Sequence, residues 1–138
     1  MAKPLKLKPF VPKEFHEQVT VFKWAKANEQ KYPKLKLLFA IPNGAHFKSA
    51  KVAMTMKAAG LKNGVPDIFL AAPGYGGCPG LFIELKRSNY KRTAALSNTE
   101  KAQDEWDIML DDQGYTVMTC CGAEPAIRTI KDYLGIDE

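Results

Sequence analysis

The sequence has no hydrophobic run close to the roughly 18 residues that a bilayer-spanning helix needs, which argues against a membrane protein. Its basic beginning is not followed by an apolar stretch, so a secretory signal is not expected. Cysteine is scarce: Cys78, Cys120 and Cys121 make an odd count without metal-ligand spacing. Together these absences favour a reducing, cytoplasmic setting with free thiols.

What is present is typical of one globular domain of 138 residues, with 46% hydrophobic and 25% charged residues. The charge is uneven, because residues 1–62 carry 13 lysines and three glutamates, whereas residues 63–138 carry a net charge of −5. A basic half beside an acidic half suits a polyanionic ligand, although a solvated lysine-rich surface explains the charge equally well. We expect a basic arm at residues 1–11 and one domain at 12–138.

Hydrophobic periodicity and turn residues predict four helices and four strands. The apolar positions of the first helix are assigned to Phe15, Val19 and Phe22, in a stripe widened by Val21 and Trp24, and those of the third to Ala102, Trp106, Met109 and Leu110. In chain order we predict a helix from Pro12 to before Pro33, a strand at 35–41, a short helix at 47–59 capped by Gly60, strands opening at Asp67 and Leu81, a helix from the Ser97 capping box to near Gly114, a strand at 115–121 and a helix at 124–134.

Charged residues interrupt the two central apolar strands. Asp67 opens the first, and Glu84 and Lys86 lie two residues apart in the second, so their side chains leave the same face of the sheet. An ionised group is costly to bury without a partner. A salt bridge inside the strand pair is one explanation, and a divalent metal shared by the carboxylates is the one we favour.

Such a site suits the hydrolysis of phosphodiesters, for which Mg²⁺ or Mn²⁺ is the expected cofactor. Asp67 and Glu84 would hold the ion, and the backbone carbonyl of Leu85 is a plausible third ligand. Lys86 would hold or deprotonate the attacking water and offset charge on the phosphate.

These residues resemble a known nuclease family. Pro66-Asp67 followed by Glu84-x-Lys86 is the signature of the PD-(D/E)XK nuclease superfamily, and four segments in the right order resemble its VRR-NUC (virus-type replication-repair nuclease) family. Those segments are 41–44, 60–67, 81–87 and 103–106, the last with Gly114 and Tyr115. The resemblance implies an α/β fold of the restriction-endonuclease type: an αβββαβ core whose mixed four-stranded sheet is flanked by helices. One extra helix would follow the first strand.

The resemblance also implies roles for particular residues. The catalytic set is Asp67, Glu84 and Lys86, with Gln103 on the following helix orienting water or a metal-bound ligand. Related resolvases often add an acid from the first helix; Glu14 is the better match and Glu17 the alternative, and either is otherwise a surface acid at a helix start. Contacts to DNA phosphates are assigned to Asn43, Lys48, Lys51, Lys57 and Lys62, although a strand-ending turn and a solvated face explain these residues as well.

The expected function is a metal-dependent, structure-selective DNA endonuclease. The sequence shows no recognition helix, zinc module or aromatic array for reading bases. Stand-alone members of the family are expected to form homodimers that cut four-way (Holliday) junctions in DNA repair, in a bacterial or phage-infected cytoplasm, and no further domain is visible here. A flap or nonspecific nuclease is the alternative within the family. A DNA-binding subunit without catalysis and a structural protein are the alternatives outside it.

Overall fold

The computed structural model describes residues 13–42 and 49–137. The predicted fold class is confirmed: within those residues, four helices accompany a mixed four-stranded sheet. The helices are α1 (Glu14–Asn28), α2 (Ala50–Ala58), α3 (Asn98–Asp112) and α4 (Ala123–Leu134). The strands are β1 (Leu38–Ala40), β2 (Ile68–Leu70), β3 (Leu81–Lys86) and β4 (Thr116–Cys121). Pro12, Asn43, Lys48 and the arm at 1–11 lie outside the described residues.

The strands follow the order β1-β2-β3-β4 across the sheet. The first two neighbouring pairs are antiparallel, whereas β3 and β4 are parallel and are connected through α3. The predicted hairpin of charged strands is therefore β2–β3, in which Ile68 pairs with Ile83. It lies at the centre of the sheet and carries its charged residues at the end where β3 stops.

The main core lies on the face of the sheet that α1 and α4 cover. Leu81, Ile83 and Leu85 are the alternate residues of β3 on this face, and each is at most 1% exposed. They belong to one apolar cluster with Val21 of α1 and Ile130 of α4. Burying side chains of this size supplies about 1.5–3 kcal/mol each, so this face provides most of the stability of the central strand.

Helix α1 buries a stripe that agrees only in part with the predicted one. Its buried residues are Glu17, Val21 and Ala25, at a spacing of four, whereas Phe15 is 67% exposed. Val21 and Ala25 are small and allow the helix to approach the core closely. Glu17 is buried because its carboxylate binds the backbone of α4. The predicted stripe was correct for Val21, Phe22 and Trp24, which are buried or pack against the core. It was wrong for Phe15, and it missed Glu17 because it counted large apolar residues only.

The prediction of a strand over residues 35–41 was largely wrong. Pro33–Leu37 forms a 3₁₀ helix with proline in its first turn, and only Leu38–Ala40 is extended. Of these three strand residues only Leu38 is buried, as expected for a short edge strand. Proline pre-sets the backbone angle of a helical turn, and a short run of leucines does not by itself distinguish a turn from a strand.

The remaining helices agree with the predicted positions in most respects. The capping box of α3 is present, with Ser97 Oγ accepting from the Glu100 N–H at 3.1 Å and Glu100 Oε1 accepting from the Ser97 N–H at 3.0 Å. Gly60 follows α2 with a φ of 110°, as its predicted end requires. Two expectations fail, since α2 buries none of its residues and Met109 of α3 is 48% exposed. Within the described ranges, no helix combines the length and apolarity that crossing a bilayer requires.

Candidate active site

Asp67 is placed by the backbone that leads into β2. Its carbonyl accepts from the Ile41 N–H at 2.8 Å, which extends the β1–β2 pairing by one step. Its side chain turns to β3, where Oδ2 accepts from the Leu85 N–H at 2.8 Å. A carboxylate that receives a backbone N–H in this way is held in one orientation at the end of the hairpin.

Glu84 and Lys86 occupy the face of β3 opposite to the main core. Glu84 is only 4% exposed and Lys86 only 9%. Lys86 Nζ lies 3.9 Å from Glu84 Oε1, at the outer limit of an ion pair. A salt bridge in the strand pair therefore exists, but it is long, and it leaves Asp67 and the second oxygen of Glu84 to be explained.

Gln103 connects the two charged groups of β3. It is the buried residue of α3, and its Nε2 donates to Glu84 Oε1 at 3.0 Å. Its Oε1 accepts from Lys86 Nζ at 2.9 Å. The capping box fixes where α3 begins, and so fixes the turn on which Gln103 faces the sheet. The structure thus brings Asp67, Glu84, Lys86 and Gln103 into one connected group.

The carboxyl of Glu84 is in an unfavourable electrostatic position. Burial, and then the neighbouring Asp67 carboxylate, raise the pKa of Glu84 to about 9, while Lys86 opposes the rise. Its Oε2 is buried and has no hydrogen-bond partner among the described residues. A cation between Glu84 and Asp67 would remove both costs, so this part of the site fits a divalent ion.

The available donor atoms indicate which ion fits. The Lys86 carbonyl bonds to the Gly122 N–H of the β4 side, so the backbone of Leu85 points the other way, to the edge that Asp67 occupies. Asp67, Glu84 and the Leu85 carbonyl then offer oxygen only. Within residues 13–42 and 49–137 no three His, Cys, Asp or Glu side chains form a complete cage. Two carboxylates completed by water are typical of Mg²⁺.

The two candidate acids of α1 have different surroundings. Glu17 is buried, and its Oε2 accepts from the Ala123 N–H at 2.5 Å. It caps α4, whose own N-cap residue Gly122 has no side chain. Glu14 is exposed, and its charge contributes, after larger causes, to the raised pKa of Glu84. Of the two, Glu14 is the acid whose charge contributes to the raised pKa of Glu84, and its part in the site stays a prediction.

Comparison with known proteins agrees with this geometry. The family described as VRR-NUC domain matches residues 3–124, which is most of the chain. The chain belongs to the VRR-NUC family. A solved structure named "VRR_NUC domain protein" is similar to it, with 26% identity, a TM-score of 0.67 and alignment over 94% of this chain and 93% of that chain. No curated protein matches the sequence. VRR-NUC is a nuclease family, so the chain is a nuclease by family.

The lysines assigned to DNA are not part of the site group. In this VRR-NUC domain Lys51 and Lys57 are exposed on α2, and Lys62 is exposed just after it. None of the three takes part in the hydrogen-bonded group around Glu84. Their role in binding stays a prediction, as does that of Asn43 and Lys48 outside the described residues.

Two features near the face of β3 that carries Glu84 and Lys86 were not predicted from the sequence. Phe39, Phe69, Phe82 and Tyr115 form an aromatic cluster, with the Phe69 and Phe82 rings stacked at 4.3 Å, although no aromatic array is visible in the sequence. Phe82 precedes Glu84 by two residues and so lies on the same face. Tyr90, in the segment between β3 and α3, lies against Lys86. Neither the aromatic cluster nor the contact of Tyr90 with Lys86 could be predicted from a short stretch of sequence, because the residues involved lie on different strands and turns.

Proposed function

We propose that this VRR-NUC protein is a divalent-metal-dependent endodeoxyribonuclease that hydrolyses phosphodiester bonds with Asp67, Glu84, Lys86 and Gln103. The observation that carries the proposal is the buried Glu84 carboxyl, whose Oε2 has no partner among the described residues and whose pKa is raised beside Asp67. A purely structural carboxylate at this depth would be expected to have its hydrogen bonds satisfied. Strongly shifted acids with a specific charge partner are typical of functional sites.

Asp67, Glu84 and the Leu85 carbonyl are the groups that would hold Mg²⁺ or Mn²⁺. When bound, such an ion supplies Lewis-acid stabilisation of the phosphate and lowers the pKa of water. Asp67 contributes through its fixed orientation, because Oδ2 is engaged by the Leu85 N–H. Glu84 contributes a second carboxylate, one oxygen of which is occupied by Gln103.

Lys86 supplies a further positive charge beside that of the ion. Its ammonium is held by Gln103 at 2.9 Å and keeps further donors for a phosphate oxygen or for the attacking water. In that place it would offset the negative charge that grows on the phosphate during attack. Gln103 would fix the separation of Glu84 and Lys86, so that both act on the same phosphate.

DNA is the substrate class that the charge distribution supports. The exposed Lys51 and Lys57 of α2 and the nearby Lys62 are suited to contacts with a phosphate backbone. Each such contact would add about one released counterion to the salt dependence of binding. Recognition of DNA shape is proposed because the sequence shows no zinc module or recognition helix for reading bases.

For the preferred structure we propose a four-way junction cut by a homodimer. A twofold pair of sites would place one catalytic group on each of two opposite strands. Helix α2 is one surface available for pairing, since it buries none of its residues against the rest of the described chain. Sizing in solution tests the pairing: a homodimer has twice the 15.3 kDa of the chain.

The test of the proposal is cleavage of labelled DNA. A four-way junction, a 5′ flap and a linear duplex are each incubated with the protein in Mg²⁺, in Mn²⁺ and in EDTA. Glu84→Gln removes the charge of the site carboxyl with little change in shape. Glu105→Gln, at an exposed position of α3, is the matched control.

We expect metal-dependent cutting by the wild type and the control, loss of cutting in Glu84→Gln, and the junction cut best. Preference for the flap or the duplex would overturn only the choice of substrate. Binding of DNA without cutting in either metal would favour a non-catalytic subunit. Cutting that survives Glu84→Gln would refute the assignment of the site.

A further inference from the structure

The side chain of Tyr90 lies against the ammonium of Lys86. Lys86 Nζ is 5.1 Å from the centre of the Tyr90 ring, within the range of a cation–π interaction. The other contacts of that ammonium are Gln103 Oε1 at 2.9 Å and Glu84 Oε1 at 3.9 Å. Tyr90 thus contacts the one cation of the site group without bonding to either carboxylate.

The ring is held in place by helix α3. The Tyr90 hydroxyl donates to Glu100 Oε2, and the Tyr90 N–H donates to the Arg87 carbonyl at 3.0 Å, which closes a turn after β3. Glu100 is itself fixed, because its other oxygen accepts from the Ser97 N–H in the capping box. The Ser97 backbone and the Tyr90 hydroxyl lower the pKa of Glu100 to about 2, so it remains an ionised acceptor at working pH.

A second tie between the same loop and helix does not involve Lys86. Arg92 donates to both oxygens of Asp104, at 3.0 and 2.5 Å. Loss of either tie would loosen the loop, but only loss of Tyr90 would remove a group that touches the ammonium. Substitutions in the two ties can therefore distinguish an effect of loosening the loop from an effect on the position of Lys86.

We propose that Tyr90 is a positioning residue of the nuclease reaction, whose ring, lying against Lys86 Nζ, holds the Lys86 ammonium beside Glu84 and Gln103. The ring restricts where the flexible lysine side chain can place its charge, without engaging the donors that a phosphate oxygen or water needs. The inference rests on the proposed function, since it assigns Lys86 a task in catalysis.

The kinetic test compares Tyr90→Phe, Tyr90→Leu, Tyr90→Trp and Asp104→Asn on the substrate that the wild type cuts best, at saturating metal. Tyr90→Leu is expected to lower kcat about tenfold, the rate equivalent of one cation–π contact, with KM within about twofold. Tyr90→Phe and Tyr90→Trp keep a ring and should retain most of kcat. Asp104→Asn weakens the second tie, because it removes the charge and one of the two acceptors for Arg92, and it should leave kcat unchanged.

A measurement that needs no activity accompanies the kinetics. The ring current of Tyr90 should shift the Lys86 ε-methylene protons upfield in NMR spectra of the wild type and of Tyr90→Phe, and this shift should vanish in Tyr90→Leu. Thermal unfolding identifies any variant that has failed to fold. If a variant fails to fold, the ring-current shift of the wild type and the kcat values of Tyr90→Phe and Tyr90→Trp still test the inference.

Three results would overturn the inference: no ring-current shift at Lys86, an unchanged kcat in Tyr90→Leu, or an equal loss in Tyr90→Leu and Asp104→Asn. An equal loss in Tyr90→Phe and Tyr90→Leu would also contradict it, because the hydroxyl rather than the ring would then matter. A wild type that cuts no DNA would instead refute the proposed function, and the ring contact would still be decided by NMR.

Discussion

The two faces of strand β3 differ more than any other two regions of the molecule. On one face Leu81, Ile83 and Leu85 are closed into the apolar core under α1 and α4. On the other face Glu84 and Lys86 are also buried, and both are hydrogen-bonded to Gln103. One strand of six residues thus supplies stability on one side and, in the proposed function, chemistry on the other. A substitution should therefore affect stability or cleavage according to the face on which its side chain lies.

The largest effect is expected from Glu84→Gln on the polar face. Cleavage should fall about 1,000-fold, the rate equivalent of several kcal/mol of metal-assisted stabilisation of the transition state. The fold should persist, because glutamine keeps an oxygen for Gln103. Single-turnover cleavage beside the Glu105→Gln control measures the loss, and a loss below tenfold would contradict the assignment.

On the apolar face, the neighbouring Ile83→Ala should act in the opposite way. Removing a fully buried isoleucine should lower the free energy of unfolding by about 2–5 kcal/mol through lost burial and a cavity. Denaturant unfolding gives this value. The folded fraction should cut DNA at close to the wild-type rate, and a specific loss of kcat would show that the two faces are not independent.

Gln103 joins the polar face to α3, and its loss should have an intermediate effect. Gln103→Ala removes one hydrogen bond from each of Glu84 and Lys86. Supporting partners of this kind typically change metal affinity or activity by about 10–100-fold. Titration of cleavage with Mn²⁺ separates a change in metal affinity from a change in activity. Wild-type values of both quantities would show that Gln103 is only a packing residue.

The two acids of α1 allow the same comparison of stability with chemistry on a single helix. Glu17→Ala removes the acceptor that binds the Ala123 N–H and should cost about 2 kcal/mol of stability, as for other hydrogen bonds to a charged group. Glu14→Ala should leave stability unchanged and alter only cleavage and its metal dependence. Parallel melting and cleavage curves distinguish the two, and the reverse pattern would mean that Glu17 is the acid serving the site.

Stability without metal should depend on pH through Glu84. Its pKa is raised from 4.5 to about 9 on folding, so between these values the folded chain keeps a proton that the unfolded chain releases. Stability should therefore fall as pH rises through this window. Melting in EDTA from pH 5 to pH 8 should show the decline in the wild type and less of it in Glu84→Gln. Identical slopes would indicate that Glu84 is ionised in the folded protein.

Much of the fold could be predicted because its signals are local. The capping box at Ser97 and Glu100 needs only four residues, and the charges at 84 and 86 reveal an unusual face through strand alternation alone. The site set could be named because Asp67 directly precedes β2, and Glu84 and Lys86 lie in β3, the strand that pairs with it. The order of the elements follows from the same short-range patterns.

The contacts that the sequence did not reveal depend on how separate elements pack together. Glu17 caps a helix that begins 106 residues later, so nothing near it marks it as buried. Tyr90 faces Lys86 only because the loop folds back onto α3. The error at 35–41 has another cause, since alternating leucines also fit a 3₁₀ turn once Pro33 starts it.

The most direct test of the central claim is the anomalous signal of Mn²⁺ in crystals soaked at pH 8. If the polar face of β3 is a metal site, a peak should lie between the carboxylates of Asp67 and Glu84, next to the Leu85 carbonyl, and it should be absent from Glu84→Gln crystals. No peak at this place in the wild type, or an unchanged peak in the variant, would contradict the account.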